Sequence, residues 1–255
     1  MLYREIPPHP LLKDYIKTYW YLNYDSELIQ PFDIMPDGYF DLLIAFKNGY
    51  VDNTRITGVW SKMFTVNYSR CETIGIRFRP QALTTLLDGS IKEILDSSFQ
   101  NYNLPNLRLD YSIFEGGQLD SDIDFNNLKK HLDKAFIRHL NVKKIDKRIN
   151  SLFNLIEVTS GTISIETLSE SIGFSTRQMN RRTKELIGIG PKDYAKIIRF
   201  KKALELIKYD SSSYNGYFDQ SHFIKNFKTY TGLKPSEVDL RNNVRFLQYY
   251  DFDNE

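Results

Sequence analysis

Residues 163–187, ISIETLSESIGFSTRQMNRRTKELI, decide how the rest of the chain is read. Ser164 has the side chain of an N-cap, and Ile165, Leu168 and Ile172 then fall at helical spacing. Gly173 can turn left-handed and end that helix. Ser169 puts a small side chain where a second helix would cross, and Phe174 plugs the turn. Ser175 is a second N-cap, so a new helix starts at Thr176, with Met179 and Leu186 on its buried face. Arg177, Asn180, Arg181 and Lys184 share the outward face. Two short helices across a glycine turn make a helix-turn-helix pattern, although an ordinary helical hairpin with a solvated basic face would carry the same residues.

The outward residues suit the major groove of DNA. Arg can donate two hydrogen bonds to guanine, Asn pairs with adenine in the same two-point way, and Lys at the far end of the helix suits phosphate. Further on, Gly188, Ile189, Gly190 and Pro191 stop the helix, and Pro191 is placed to open the next, DYAKIIRFKKALELIK. Tyr194, Ile197, Ile198, Ala203, Leu204 and Ile207 give that helix an apolar stripe.

After a polar break, residues 216–238 read GYFDQSHFIKNFKTYTGLKPSEV. Here the chain resembles the AraC/XylS family of bacterial transcription regulators, through Gly216, Tyr217, Asp219, Gln220, Ser221, Phe223, Phe227, Lys228, Gly232 and Pro235. Arg199 matches the usual arginine of the connecting helix, and the resemblance spans about residues 143–240. It implies an all-α domain of two helix-turn-helix units joined by one long helix, with reading helices at 176–186 and 219–230. Arg177, Asn180 and Arg181 are then base-facing in the first unit, and Gln220, Ser221, Ile224 and Lys225 occupy the matching face of the second. Gln220, Ser221 and Lys225 keep hydrogen-bonding chemistry, whereas Ile224 can only touch a thymine methyl or pack. His222 reads as a partly exposed helix histidine, since no second metal ligand sits near it.

One departure stands out. Between residues 206 and 216 the family fits a loop and the supporting helix of the second unit, but the nine residues 207–215 cannot supply both. Either that helix is lost, or the chain as written lacks a segment of the full protein. The second reading is preferred because an unsupported reading helix should expose Phe223 and Phe227.

Charge follows the same division. The formal net charge is +2, yet residues 1–140 hold 15 basic and 18 acidic side chains, residues 141–234 hold 17 and 9, and the remainder 2 and 5. The basic excess lies on the helix-turn-helix half, as attraction to a phosphate backbone requires. Lys143, Lys144, Lys147 and Arg148 extend that surface or form a solvated face.

The first 80 residues differ in kind. YIKTYWYLNY, YFDLLIAF, RITGVW, MFTVNY and ETIGIRF alternate with turn signals at Pro36-Asp37-Gly38, Asn48-Gly49 and Asp52-Asn53. They predict a small antiparallel β-domain, a cupin-like barrel or sandwich. Pro7, Pro8 and Pro10 stiffen the approach to it, and helical signals begin at Pro80 with PQALTTLL and IKEIL. The runs HPLLKDYI, IMPDGYFDLLIAF and IGIRFRPQAL resemble the N-terminal regulatory module of the same family.

The expected fold class is therefore α+β, in four parts: a β-rich regulatory domain at 1–122, a linker or dimerisation helix at 123–142, the DNA-binding domain at 143–240 and an acidic tail at 241–255. In IDFNNLKKHLDKAFIRHL, residues 123–140, Phe125, Leu128, Leu132, Ala135 and His139 make one narrow apolar seam. It packs on the β-domain in a monomer or pairs with its twin in a homodimer.

No catalytic or metal site is expected. The β-region holds only His9, too few ligands for a cupin metal centre, and the chain has no nucleophile elbow, Walker loop or dinucleotide fingerprint. No cofactor is implied. Cys71 is the single cysteine, which rules out an internal disulfide, and it reads as a small strand residue. An aromatic set with two arginines includes Trp20, Tyr39, Trp60 and Arg77, which line a small-ligand pocket or fill an ordinary core.

With no secretory signal and no apolar run near 18 residues, a cytoplasmic location is expected, with no membrane partner. The function expected is a sequence-specific DNA-binding transcriptional regulator, an activator in sense, whose N-terminal module senses a ligand or dimerises. Double-stranded DNA, a small-molecule effector and RNA polymerase are its candidate partners. The alternative is a ligand-binding or protein-interaction adaptor whose second helix-turn-helix is degenerate.

Overall fold

The computed structural model describes residues 1–100, 109, 122–140, 147–209, 217 and 219–238. Most of the short 207–215 segment, Lys143, Lys144 and Gly216, and the acidic tail at 241–255 lie outside the described residues.

The N-terminal half is antiparallel β-structure. Strands β1 (Leu2–Ile6), β2 (Ile16–Tyr24), β4 (Phe40–Lys47), β5 (Tyr50–Thr57), β7 (Cys71–Phe78) and β8 (Ser98–Gln100) form one sheet in the order β1-β2-β7-β4-β5-β8, while β3 (Gln30–Ile34) pairs with β6 (Phe64–Tyr68). The larger sheet is open, with β1 and β8 at its edges. Its two faces carry different apolar sets. Tyr19, Tyr21, Ile74, Ile76 and Phe78 join the main core, and Trp20 and Leu22 meet Phe32 of the smaller sheet. Because both faces are covered, β2 and β7 are buried almost continuously and show no polar alternation.

Turn chemistry fits where it is local. Asn48 and Gly49 both have positive φ, 53° and 77°, which a two-residue hairpin between β4 and β5 requires. Asp52 and Asn53, expected as a turn, lie inside β5 instead. Asn53 faces Ala45 and Val51 faces Phe46, so Asp52 is the extra residue of a bulge.

A short helix α1 (Ala82–Thr85) and a 3-10 turn (Lys92–Ile94) lead out of the sheet. Helix α2 (Asp122–Leu140) then lies across the main face, with Phe125 6.5 Å from the Tyr21 ring and Phe136 edge-on to Phe78 at 5.7 Å. Asp133 of α2 accepts hydrogen bonds from the His9 backbone N–H at 2.8 Å and the Tyr19 hydroxyl at 3.0 Å. Phe125, Leu128 and Leu132 are therefore buried within the protomer. Of the two arrangements open to the seam, the structure has the intramolecular one, and these three side chains are not offered to a twin.

The C-terminal half is helical: α3 (Lys147–Val158), α4 (Ile165–Ile172), α5 (Thr176–Ile187), α6 (Pro191–Tyr209) and α7 (Gln220–Thr231). The fold is thus α+β, an antiparallel β-domain followed by an α-helical region. No helix among the described residues is long and apolar enough to cross a membrane.

Candidate nucleic-acid interface

Helices α4 and α5 are fixed by their own termini. Ser164 accepts from the Thr167 N–H at 3.0 Å, and Gly173, at φ 69°, closes α4 on the Ser169 carbonyl. Ser169 also donates to the Phe174 carbonyl at 2.6 Å, tying the turn across the helix crossing. Ser175 and Gln178 form a reciprocal capping box that opens α5. Met179, Thr183 and Ile187 are buried, with Leu186 half-buried; Thr183 meets its own burial by donating to the Met179 carbonyl.

Arg177, Asn180, Arg181 and Lys184 are all exposed on the opposite face. Their resting states differ. Arg181 is paired with Glu185 one turn on, at 3.0 Å and largely in solvent, a contact of the sort worth a few tenths of a kcal/mol. Asn180 leans on the turn after α5, its Oδ1 occupying the space that a side chain on Gly190 would need. Arg148, expected as part of a basic surface, lies over the Phe174 ring at 4.2 Å and so also covers the turn.

Helix α6 links the two units. Pro191 opens it, and Arg199 donates twice to the Gly161 carbonyl, at 2.6 and 3.2 Å, holding the link between α3 and α4. Gly161, at φ 69°, sits against the Ala195 carbonyl with no room for a Cβ. Phe200, which the sequence reading left out of the stripe, is fully buried against Phe227 and Tyr230.

Helix α7 carries the second set. Asp219 caps it by accepting from the His222 N–H at 2.7 Å, and Gly232 closes it at φ 76°. Gln220, Ser221 and Lys225 are exposed, as is Ile224. Phe223 and Phe227 are buried, packed on each other and covered by Tyr217 and Phe200. Among the described residues, Phe200 of α6 and Tyr217 supply apolar cover for them, and whether a supporting helix adds to it falls on residues 210–216, outside the described residues. The His222 ring stands edge-on to Tyr217 at 5.2 Å.

Of the four residues considered for a small-ligand pocket, Trp20 and Arg77 meet on one carboxylate, while Trp60 and Tyr39 make other contacts. Trp20 lies flat on Gly75, and its indole N–H donates to Asp41 at 3.0 Å. Arg77 meets the same carboxylate at 3.1 Å, with Asp37 at 3.7 Å. Burial pushes the Asp41 carboxyl above its ordinary range, while Arg77 pulls the other way. Trp60 stacks on Phe64 at 3.5 Å. Tyr39 instead faces α6, where Lys201 donates to its hydroxyl at 2.7 Å. Burial pushes the Tyr39 phenol up to about 12 and the Lys201 ammonium below the ordinary lysine value. Burial likewise raises the Cys71 thiol to about 11.

The two halves meet at other points as well. Arg79 pairs with Glu157 of α3. The Ile91 N–H donates to the Leu186 carbonyl at 2.8 Å, and the Met63 N–H to the Tyr230 carbonyl at 2.7 Å. Nothing in residue type marks these backbone donors, and sequence reading missed them.

Comparison with known proteins follows the same division of the chain. Residues 4–100 match a family described as a domain of unknown function, DUF6597, and residues 168–241 match a helix-turn-helix domain of the AraC type. No curated protein matches the chain. Among solved structures, an apo lysine-to-alanine variant of ToxT from Vibrio cholerae strain SCE256 is 12% identical over 86% of this chain and 96% of that one, with a TM-score of 0.45. Another crystal form of Vibrio cholerae ToxT is 12% identical over 92% and 96%, at 0.41. Wild-type ToxT bound to an unsaturated fatty acid is 14% identical over 85% and 95%, at 0.38. The chain thus carries a DUF6597 domain in its N-terminal half and an AraC-type helix-turn-helix domain in its C-terminal half.

Proposed function

We propose that this protein is a sequence-specific DNA-binding transcription regulator that reads two successive major-groove faces, one with α5 and one with α7. The observation that carries this reading is the pairing of faces. Each helix buries an apolar side, and each leaves hydrogen-bonding side chains in solvent: Arg177, Asn180, Arg181 and Lys184 on α5, and Gln220, Ser221 and Lys225 on α7. Arg177 and Arg181 suit guanine and Asn180 adenine, whereas Lys184 and Lys225 suit phosphate. The basic excess of residues 141–234 supplies the attraction that does not depend on sequence. A degenerate second unit, which the adaptor reading needs, finds no support in α7, because its buried face is intact.

The N-terminal β-domain is the regulatory part in this reading, receiving an effector or a partner. Affinity for duplex DNA measured across a salt series tests the proposal. Log affinity should fall linearly with log salt, with a slope near 0.9 for each phosphate neutralised. A slope near zero would favour an interaction module.

A further inference from the structure

The last carbonyls of a helix have no partner within it. On α5, two of them are met from the β-domain: Ser90 Oγ donates to Glu185 and the Ile91 N–H to Leu186. Gly188, the C-cap of α5, sits directly against Lys92 and Leu95 of the same loop. On α7, the Tyr230 carbonyl is met by the Met63 N–H from a different loop of the β-domain. Both reading helices are therefore gripped at their C-terminal ends by the N-terminal half, while their N-terminal ends are capped by Ser175 and Asp219.

The two gripping loops are joined to each other. Asp96 accepts from both the Ser61 backbone N–H and the Ser61 hydroxyl, the latter at 2.6 Å. The Asp96 N–H donates to the Val59 carbonyl at 3.1 Å, and the Gly58 N–H to Ser97 at 2.9 Å. Gly58 lies against the Ile94 carbonyl with no space for a Cβ. Asp96 itself adopts φ 55°, a conformation that Asp and Asn tolerate better than most residues. Helices α5, α6 and α7 and these two loops thus close a ring. Helix α6 is one route between the reading helices, and the stapled loops are a second.

We infer that the Asp96–Ser61 staple is a positioning device that fixes the separation of the two reading helices, so that the β-domain sets the half-site spacing the protein accepts on DNA. Asp96 and Ser61 belong to the β-domain loops and act through the ends of α5 and α7. Any effector that moved the 58–63 loop against the 88–97 loop would change spacing preference without touching a reading side chain.

The spacing consequence rests on the DNA-reading proposal, but the staple can be tested without DNA. Spin labels on Thr176→Cys in α5 and Lys228→Cys in α7, in a Cys71→Ser background, report the distance between the helices. Asp96→Gly keeps the backbone conformation and removes both acceptors, and should broaden that distance distribution. Asp96→Asn, which keeps an acceptor, should restore most of its sharpness. Gly58→Ala, which wedges a methyl against the Ile94 carbonyl, should shift the mean distance. Distributions in folded Asp96→Gly and Gly58→Ala proteins that match the parent would overturn the staple.

On DNA, the unlabelled parent should prefer one half-site spacing over a spacing changed by one base pair. Asp96→Gly should erode that preference by about threefold, the order of the net contribution of one ordinary solvent-exposed hydrogen bond, while affinity for a single half-site holds. An undiminished spacing preference in Asp96→Gly would overturn the inference. Failure of the parent to bind any duplex would overturn the DNA reading and leave the label distances to decide the staple.

Discussion

Helices α5 and α7 have similar terminal designs and different support. Both start at a side-chain cap, both end at a left-handed glycine, and both surrender late carbonyls to the β-domain. Yet α5 sits in a complete helix-turn-helix, with α4 across it and Phe174 filling the turn under Arg148. Helix α7 rests on an aromatic cluster of Phe200, Tyr217, Phe223, Phe227 and Tyr230. Their outward chemistry differs in the same sense. Helix α5 presents two arginines, an asparagine and a lysine, whereas α7 presents a glutamine, a serine, a lysine and one isoleucine. Among the described residues, the cover of α7 is this aromatic cluster together with the β-domain bond at Tyr230.

Removing the anchor puts this difference in support under the greatest strain. Replacing Phe200 by Ala should cost about 3–5 kcal/mol, as deletion of a buried Phe does. The loss should fall unequally. Hydrogen exchange should show α7 opening while α4 and α5 stay protected, and equal loss of protection in both units would mean that they fold as one.

Reading chemistry gives the next largest difference. Arg177→Ala should cost about 1–3 kcal/mol on the best duplex and relax preference at one base pair. Lys225→Ala should weaken all duplexes alike and lower the salt slope by about 1, as loss of a phosphate contact does. Titration against matched and single-mismatch duplexes separates the two. Uniform loss in Arg177→Ala would make it a phosphate anchor. Arg181→Ala should have an effect no larger than Arg177→Ala, since the Glu185 pair must open before Arg181 can turn to a base.

The caps give the smallest contrast. Ser175→Ala and Asp219→Ala should each cost about 1 kcal/mol in denaturant unfolding. Gln178→Ala should add a separate cost at α5, because it removes the acceptor of the Ser175 backbone N–H, a bond that Ser175→Ala leaves in place. No cost in Gln178→Ala would show that the box adds nothing beyond a single cap.

How far the sequence spoke for itself follows from how local each feature is. Ser164, Gly173, Ser175 and Gly188 act within one turn of chain, and residues 163–187 could be read directly. Helix α6 showed its stripe but not Phe200, whose burial depends on α7, far along the chain. In the β-domain, Pro31 hid β3, since proline argues against a strand unless it lies at an edge. Asp52 and Asn53 imitated a turn because a bulge uses turn-like residues inside a strand. The seam of α2 was visible as apolar spacing, yet spacing alone cannot say whether a sheet or a second copy covers it. The grip on α5 and α7 was not legible, since the donors at Ile91 and Met63 are backbone groups common to every residue but proline, and the Ser90 hydroxyl reaches a carbonyl far along the chain.

That α5 and α7 read DNA together is tested most directly by selection of bound duplexes from a random pool. The expected result is two enriched blocks whose centres lie about one helical turn apart, roughly 10–10.5 base pairs, because two linked reading helices must enter successive major grooves on one face of the duplex. A single enriched block, or a pool that stays random, would contradict it.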